Sequence, residues 1–324
     1  MSQYRKIMIV IDRTMKKDVA FTRGVKLAKK TGAQLVLVLN DYNSALLRAR
    51  FLDPEMLRKA IEGYLAVRRR WLNDEASKLR EQGLEVETVV TWHKPAWEEI
   101  ARQALEWAPD LVIKDVESTS ALPRAVFTPA DWHLMRICPA PLMLVNSHSS
   151  SYPQRILAAI DPFDTHGKPA ELNDRILEAA LAMAYQCDAP VHVVHVYEYP
   201  SPSILLGGEA VLAERYIDVA REEHRKQFIA FGNAHGIPID RMHLIEGNPA
   251  RVVADLAEDI NADLVVLGTV ARRGLKRIFM GSTAEEIHGG INSDVMVLKP
   301  QGFAAALATE LKENSNSRQA LEVE

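Results

Sequence analysis

The chain has 324 residues, of which 48% are hydrophobic and 25% are charged, and its formal net charge is -4. This composition is ordinary for a globular protein, and the length predicts two domains. The small negative charge argues against a dedicated nucleic-acid-binding protein, which usually has a basic excess. The two cysteines, Cys138 and Cys187, show no metal-ligand spacing and favour a reducing compartment.

The first part of the chain contains three strand patterns and one conspicuous helical pattern. The strand patterns are KIMIVIDRT from Lys6, DLVIKD from Asp110 and APLMLVN from Ala140. Between the first two, apolar residues recur at helical spacing from Leu57 to Leu79 and enclose the basic cluster Arg68 to Trp71. We expect this cluster to be a solvated helix face, so direct nucleic-acid binding is not predicted.

All three strand patterns return in the second part of the chain. RILAAIDPF starts at Arg155, DLVVLG at Asp263 and SDVMVLK at Ser293. The repeat is 149 residues from Asp12 to Asp161, and 153 residues from Asp110 to Asp263. The chain is therefore predicted to be a tandem duplication with boundaries at 1–150 and 151–300, followed by a polar, frayed tail at 301–324.

The second half shows the alternation of strands and helices most clearly. The predicted strands are Ile156–Ile160, Val191–Val196, Met242–Ile245, Leu264–Leu267 and Val295–Leu298. The predicted helices lie near Asn173–Gln186, Leu212–Ala234, Arg251–Asp259 and Thr283–His288. This order predicts an α/β fold with a five-stranded, mostly parallel sheet in each half. Ligands of such sheets bind at the carboxyl ends of the strands.

A loop suited to an anion follows the fourth strand of the second half. The segment GTVARRGLKRIFMGSTAEEI, from Gly268 to Ile287, carries four cations and no carboxylate before its GST. Gly268 is expected to turn sharply after the strand, while Gly281 and Ser282 begin a helix whose free N–H groups attract an anion. The alternative is that STAE, from Ser282 to Glu285, is a capping box without any ligand and that the cations are solvated.

The spacing of this loop resembles the universal stress protein family, whose nucleotide-binding members carry G-x2-G-x9-G-[ST]. The matching frame is Gly268, Ala271, Gly281 and Ser282. The resemblance covers about residues 4 to 300, and FTPADWHLMRICPAP from Phe127 is similar to the first half of tandem members. It implies two Rossmann-like domains of the adenine nucleotide alpha hydrolase-like form.

The resemblance also implies a ligand and its contacts in the second half. ATP or another adenine nucleotide, with or without Mg²⁺, is expected there. Asp161 and Val196 would meet the adenine and ribose, and Gly247 would border the pocket. The remaining expected contacts, around the phosphates, are Gly268, Ala271, Arg272, Gly281, Ser282 and Thr283. Ala271 departs from the family's glycine; at positive φ its Cβ would cost roughly 1 kcal/mol, or about a fivefold loss of affinity.

The first half departs from the frame at every position. Asp115 replaces the first glycine, Ser118 the second, and Thr128–Pro129 the final Gly–Ser pair. Two carboxylates and one cation lie between Asp115 and Thr128, so a phosphate would be repelled. Residues 1–150 are therefore expected to form a degenerate domain without nucleotide.

Two histidines in the second half do not predict a metal site. His192 and His195 are three apart on a strand, so their side chains point to opposite faces. His133 and Trp132 are expected to be packing residues, and His93 a hydrogen-bonded surface residue. No nucleophile signature is present, and at most a weak ATPase activity is predicted.

The resemblance implies a stress-response protein that supports survival and resistance to DNA damage. No apolar run approaches the ~20 residues of a membrane span, and the N-terminal stretch is too short for a signal peptide, so a cytoplasmic location is expected. The halves are predicted to pair through Met143–Val145 and Val295–Leu298 as an internal pseudo-dimer. A homodimer of two whole chains is a further alternative. The alternatives are a nucleotide-free scaffold and a carrier of an apolar ligand in the first half, which would use Ala121, Leu122, Val126 and Phe127.

Overall fold

The computed structural model describes residues 4–48, 53–116, 127–146, 152–163, 171–198, 210–269 and 291–309. The strands of the first half are β1 Lys6–Val10, β2 Gln34–Asn40, β3 Val86–Thr91, β4 Leu111–Asp115 and β5 Leu142–Val145. Its helices are α1 Val19–Thr31, α2 Ser44–Leu47, α3 Pro54–Arg80, α4 Ala96–Trp107 and α5 Pro129–Ile137.

The second half repeats this order. Its strands are β6 Ile156–Ala159, β7 Val191–Tyr197, β8 Met242–Glu246, β9 Leu264–Gly268 and β10 Asp294–Leu298. Its helices are α6 Glu171–Cys187, α7 Ala210–Ala234 and α8 Pro249–Asp259, followed by α9 over residues 303–309. The five predicted strands of this half are confirmed, and the helix predicted at Thr283–His288 lies outside the described residues.

Within the described ranges, the ten strands form one sheet in the order β3-β2-β1-β4-β5-β10-β9-β6-β7-β8. Neighbouring strands are parallel except at the centre, where β5 and β10 are antiparallel. There Met143 is opposite Met296, and Leu144 is opposite Val295. The predicted pairing of the two halves is therefore confirmed, and it removes two edges that would otherwise expose unpaired main-chain groups.

Helices cover both faces of the sheet, which explains why its strands are continuous apolar runs rather than alternating ones. Helices α1 and α6 pack on one face, and α4 and α8 pack on the other. The buried cluster on the first face joins Ile9 of one half to Val266 of the other. The cluster on the second face likewise joins Met8 to Val265. Each layer of the core thus runs through both halves.

The prediction of a polar, frayed C-terminal tail was wrong for the residues that the structure describes after Gln301. Residues 303–309 are helical, and the side chains of Phe303 and Leu307 are buried against Leu105 and Ile137. The apolar spacing of these two residues, one helical turn apart, explains the docking. Residues 310–324 lie outside the described part of the chain.

The basic cluster is only partly the solvated face that its sequence predicts. Arg69 and Arg70 are exposed, but Arg68 is half-buried: it donates to Asp41 at 2.8 Å and lies 3.5 Å from the ring centre of Tyr64. Asp41, the carboxylate partner of Arg68, directly follows β2, so this ion pair fixes which side of α3 faces the sheet. Among the described helices, none is long and apolar enough to cross a membrane.

Candidate functional site

The crevice predicted to bind a ligand lies between β6 and β9 in the second half. These strands are neighbours, and the chain continues outward from β6 to β7 and from β9 to β10, so the winding reverses between them. Such reversal points are where parallel α/β sheets bind ligands. Asp161 follows the end of β6, and Gly268 ends β9, so two of the predicted residues flank this point.

Asp161 is held by the first turn of α6. Its main-chain N–H donates to the Asn173 side-chain oxygen at 2.9 Å, and the Asn173 amide donates back to the Asp161 carbonyl at 2.6 Å. The carboxylate stays about one-third exposed, with one oxygen 3.9 Å from Nδ1 of His195. Its main chain is fixed while its carboxylate remains accessible from the crevice.

Gly268 has a different role from the predicted sharp turn. It is paired with Leu298 in the ladder between β9 and β10, and its backbone stays in the strand. A Cβ at this position would lie 2.8 Å from Leu172 and 2.9 Å from Ile176, both on α6. The glycine therefore allows α6 to approach the carboxyl end of β9, and the prediction of a turn at Gly268 was wrong.

Val196 and Gly247 lie at the ends of the next two strands. The Val196 side chain packs on the face of the sheet that carries α8. Gly247 has a φ of 145°, in the region that favours glycine, and its N–H donates to the Tyr197 carbonyl at 3.0 Å. Gly247 thereby ties the end of β8 to the end of β7, at the rim of the crevice.

A cluster of rings that the sequence did not reveal lies beside Asp161. Nε2 of His195 and Nδ1 of His224 are 2.8 Å apart, and the His224 ring stacks on Tyr197 with centroids 4.8 Å apart. Phe163 lies 4.1 Å from the His224 ring centre. Burial lowers the pKa of His224, although the negative charge of Asp161 acts in the opposite direction. His224 belongs to α7, so no local motif could have connected it with β7.

The two histidines of β7 face opposite ways, as predicted. His195 contacts His224 on the α7 side, whereas Nδ1 of His192 is 3.0 Å from Nε2 of His243 on β8. Burial lowers the pKa of both members of the second pair. In the part of the chain that the structure describes, no three histidine, cysteine or acidic side chains are arranged to hold a metal.

The first half has a carboxyl pair where the second half has Gly268. Asp115 ends β4, and one of its oxygens accepts the Ala20 N–H at 3.2 Å; Asp18 caps the same helix by accepting the Phe21 N–H at 2.8 Å. Burial, together with the hydrogen bond with Asp18, raises the pKa of Asp115 to about 8. The N-terminus of α1 is therefore already occupied by carboxyl groups.

Lys114, which directly precedes Asp115, also has partners within the chain. Lys114 donates to Asp131 at 2.9 Å and to the Asp115 carbonyl at 2.8 Å. Asp131 completes a capping box with Thr128 ahead of Pro129, which begins α5. Phe127 is buried and meets the edge of Trp132, so it lines the core rather than a cavity.

The aromatic and histidine residues named in the first half are structural. His133 stacks on Trp97 with centroids 4.7 Å apart, which confirms it as a packing residue. His93 is partly exposed, with Nε2 3.7 Å from Glu98, and its main-chain N–H donates to Asn40 at 3.0 Å. These contacts give both histidines partners within the first half.

A buried lysine that no sequence motif reveals lies beside the carboxyl end of β9. Lys299 follows β10 and donates to the hydroxyl of Thr269, the residue after Gly268, and to the Met135 carbonyl of α5. Burial lowers the pKa of its amine to about 7. Lys299 thus joins the carboxyl end of β9 to the other half of the molecule.

The model of the universal stress protein family matches residues 3–146 and 153–299. The chain belongs to the universal stress protein family. A curated relative, Universal stress protein E of Escherichia coli K12, is 28% identical over 97% of this chain and 100% of its own length. The homologue of Universal stress protein E from Haemophilus influenzae is 25% identical over 92% of this chain and 98% of its own.

Solved structures share the same tandem fold. A functionally unknown protein from Pseudomonas aeruginosa PAO1 aligns with a TM-score of 0.76 at 24% identity, over 96% of this chain and 98% of that one. A universal stress protein from Archaeoglobus fulgidus aligns with a TM-score of 0.63 at 16% identity, over 92% and 99%. Both likenesses concern the fold. The predicted tandem universal stress protein with two Rossmann-like halves is thereby confirmed.

The rest of the predicted universal stress protein site lies outside the described residues. This holds for Ala271, Arg272, Gly281, Ser282 and Thr283 in the loop, and for Ser118 in the first half. The described crevice therefore consists of Asp161, Val196, Gly247 and Gly268, together with the rings beside them.

Proposed function

We propose that this stress-response protein binds one adenine nucleotide per chain, in the second half, as a regulatory ligand rather than as a substrate. The observation that carries the proposal is the contrast between the two crevices. At corresponding positions the second half has Gly268 and the first half has the buried carboxyl of Asp115. A glycine leaves room for an anion, whereas in the first half the Asp115 and Asp18 carboxyl groups already accept the N–H groups at the start of α1, which an anion would otherwise use.

The position of Asp161 supports an adenosine contact. Its carboxylate is accessible at the winding reversal, and a carboxylate in that place can accept hydrogen bonds from ribose hydroxyls. The Val194 carbonyl accepts the Ile160 N–H, and alternate residues of a strand direct their main-chain groups the same way. The N–H and C=O of Val196 therefore point past the end of β6, where an adenine edge can bind them.

The loop after Gly268 supplies the charge for the phosphates. Its sequence contains Arg272, Arg273, Lys276 and Arg277, with no carboxylate before Gly281. The proposed contacts of Ala271, Gly281, Ser282 and Thr283 with the phosphates, and of Arg272 as a charged donor, rest on this sequence. A bound Mg²⁺ would be held between phosphate oxygens rather than by a dedicated protein cage. Participation in survival under stress and in resistance to DNA damage, in the cytoplasm, is part of the same proposal.

The test is calorimetric titration of the full-length chain with ATP at fixed Mg²⁺, together with extraction of nucleotide from the denatured protein. We expect one site per chain. Asp161→Asn should weaken binding about tenfold or more, because a hydrogen bond to a charged acceptor contributes roughly 1.5–3 kcal/mol. The matched control is Asp12→Asn, at the corresponding end of β1, which should leave binding unchanged.

Two loop variants test the phosphate end. Ala271→Gly should tighten binding up to about fivefold if the position requires positive φ, and Gly281→Asp should abolish it. Two equivalent sites, or equal losses from Asp161→Asn and Asp12→Asn, would contradict the proposal. Absence of binding in wild type and in Ala271→Gly alike would favour the nucleotide-free scaffold instead. Steady release of phosphate would favour a weak ATPase.

A further inference from the structure

The antiparallel junction of β5 and β10 relates the two halves by an approximate twofold axis, so each position beside the junction in one half has a counterpart in the other. On one side of the axis, Arg23 of α1 extends across the junction. Its guanidinium pairs with Asp294 at the start of β10 and lies 3.8 Å from the Met143 sulfur. The side chains of Arg23 and Asp294 are 2% and 0% exposed, so this side is filled.

The corresponding residues on the other side are Ala179 and Pro141. The 153-residue repeat that relates Asp110 to Asp263 also relates Pro141 to Asp294. Helices α1 and α6 end alike: Ala33 N–H donates to the Ala28 carbonyl, and Ala189 N–H to the Ala184 carbonyl. Arg23 lies ten residues before Ala33, and Ala179 lies ten residues before Ala189, so Ala179 is the counterpart of Arg23.

A cavity of about 520 Å³ lies beside Ala179 and Pro141, where an ion pair matching Arg23 and Asp294 would fill the space. Its wall includes Ala179 and Pro141 themselves, and Met296, the counterpart of the methionine that Arg23 touches. Ala104 and Leu105 of α4 and Ala304 of α9 complete much of the lining. The volume is in the range of small-molecule sites, which favour domain interfaces and mostly apolar walls.

The charged residues of the wall indicate what the cavity accepts. Arg175 is half-buried, and within the described chain it has neither a hydrogen bond nor an ion pair. Asp110 already accepts the N–H groups of Arg5 at 2.8 Å and Lys6 at 2.9 Å. Glu178 is exposed, so its charge is screened by water. Of the three charged residues Arg175, Asp110 and Glu178 in the wall, Arg175 is therefore the one with unused donors.

We propose that this junction cavity binds a small organic anion, with its apolar body between Ala179, Pro141 and Met296 and its carboxylate paired with Arg175. A planar guanidinium binds a carboxylate with two parallel hydrogen bonds, and such pairs are stronger than neutral ones. The site is separate from the proposed nucleotide crevice and does not depend on it.

The experiment titrates the full-length chain calorimetrically with 4-phenylbutyrate and with its neutral analogue 4-phenylbutyramide. The carboxylate should bind at least tenfold more tightly than the amide. Arg175→Gln should remove that preference while leaving amide binding unchanged. Arg251→Gln, an arginine 83% exposed on α8, is the matched control and should change neither. Asp161→Asn should also change neither, which separates this site from the nucleotide site.

A second pair of variants fills the cavity. Ala179→Arg with Pro141→Asp rebuilds the ion pair of the opposite side, and Ala179→Leu narrows the cavity without a charge. Both should reduce binding of the carboxylate and the amide at least tenfold, with the circular dichroism spectrum unchanged. The proposal is overturned if neither probe binds, if 4-phenylbutylamine binds more tightly than the carboxylate, or if Arg175→Gln leaves the carboxylate preference intact. Undiminished binding to folded Ala179→Leu would also overturn it.

Discussion

The ion pair between Arg23 and Asp294 carries the sharpest stability prediction. Asp294→Asn should lower the free energy of unfolding by about 3–5 kcal/mol, because it leaves a buried guanidinium without its counter-charge. Both side chains are almost fully buried, and the other Asp294 oxygen accepts the Asn146 N–H at 2.8 Å. The asparagine oxygen can still accept that bond, so the loss reports the missing charge rather than missing volume.

The assay is urea unfolding followed by circular dichroism and by tryptophan fluorescence. The control is Glu62→Gln, which breaks an exposed pair with Arg69 whose side chains are 64% and 44% accessible. That pair should contribute less than about 1 kcal/mol. Arg23→Met combined with Asp294→Leu should recover much of the loss, because two apolar side chains leave no uncompensated charge. A cost below about 1 kcal/mol for Asp294→Asn would refute the reasoning.

Two further predictions concern the first half and the C-terminal helix. Because the pKa of Asp115 is raised to about 8, the folded chain retains a proton that the unfolded chain loses above about pH 4, so stability falls as pH rises from about 4 to 8. The melting temperature of Asp115→Asn minus that of wild type should therefore rise between pH 5 and pH 9. If this difference falls instead, the raised pKa of Asp115 is contradicted. Leu307→Ala should cost about 2 kcal/mol in urea unfolding, because its side chain is buried against Leu105 and Ile137, whereas exposed Gln301→Ala should cost less than about 0.5 kcal/mol. Equal costs for the two would show that α9 is not docked.

The architecture was largely predictable because its signals are local or repeated. Strands buried on both faces give continuous apolar runs, such as Leu264–Gly268, that stand out from the sequence. The repeat gave the number of halves, and the apolar edges at Met143–Val145 and Val295–Leu298 predicted their pairing, which the β5–β10 ladder confirms. The docked helix at 303–309 was missed, although Phe303 and Leu307 carry its signal.

The details of the crevice were less predictable because they depend on contacts between distant segments. His224 meets Tyr197 only because α7 returns over β7. Asp115 gains its raised pKa from burial and from Asp18, which lies 97 positions earlier on α1. A glycine after a strand often makes a turn, and this predicted the turn at Gly268. The structure instead requires a glycine there because α6 approaches the strand closely. A sequence shows the glycine but not the neighbour that requires it.

The two halves differ in the same way at two places along one helix, its N-terminus and the face that meets the junction. In the first half, α1 has a carboxyl pair at its N-terminus and Arg23 filling the junction one turn later. In the second half, the first turn of α6 holds the main chain of Asp161 through Asn173, and the helix then presents Ala179 to an open cavity. Side chains of the protein therefore fill the space beside α1, whereas the space beside α6 stays open. Both proposed ligands would contact residues positioned by α6, so this single helix connects the nucleotide crevice to the junction cavity.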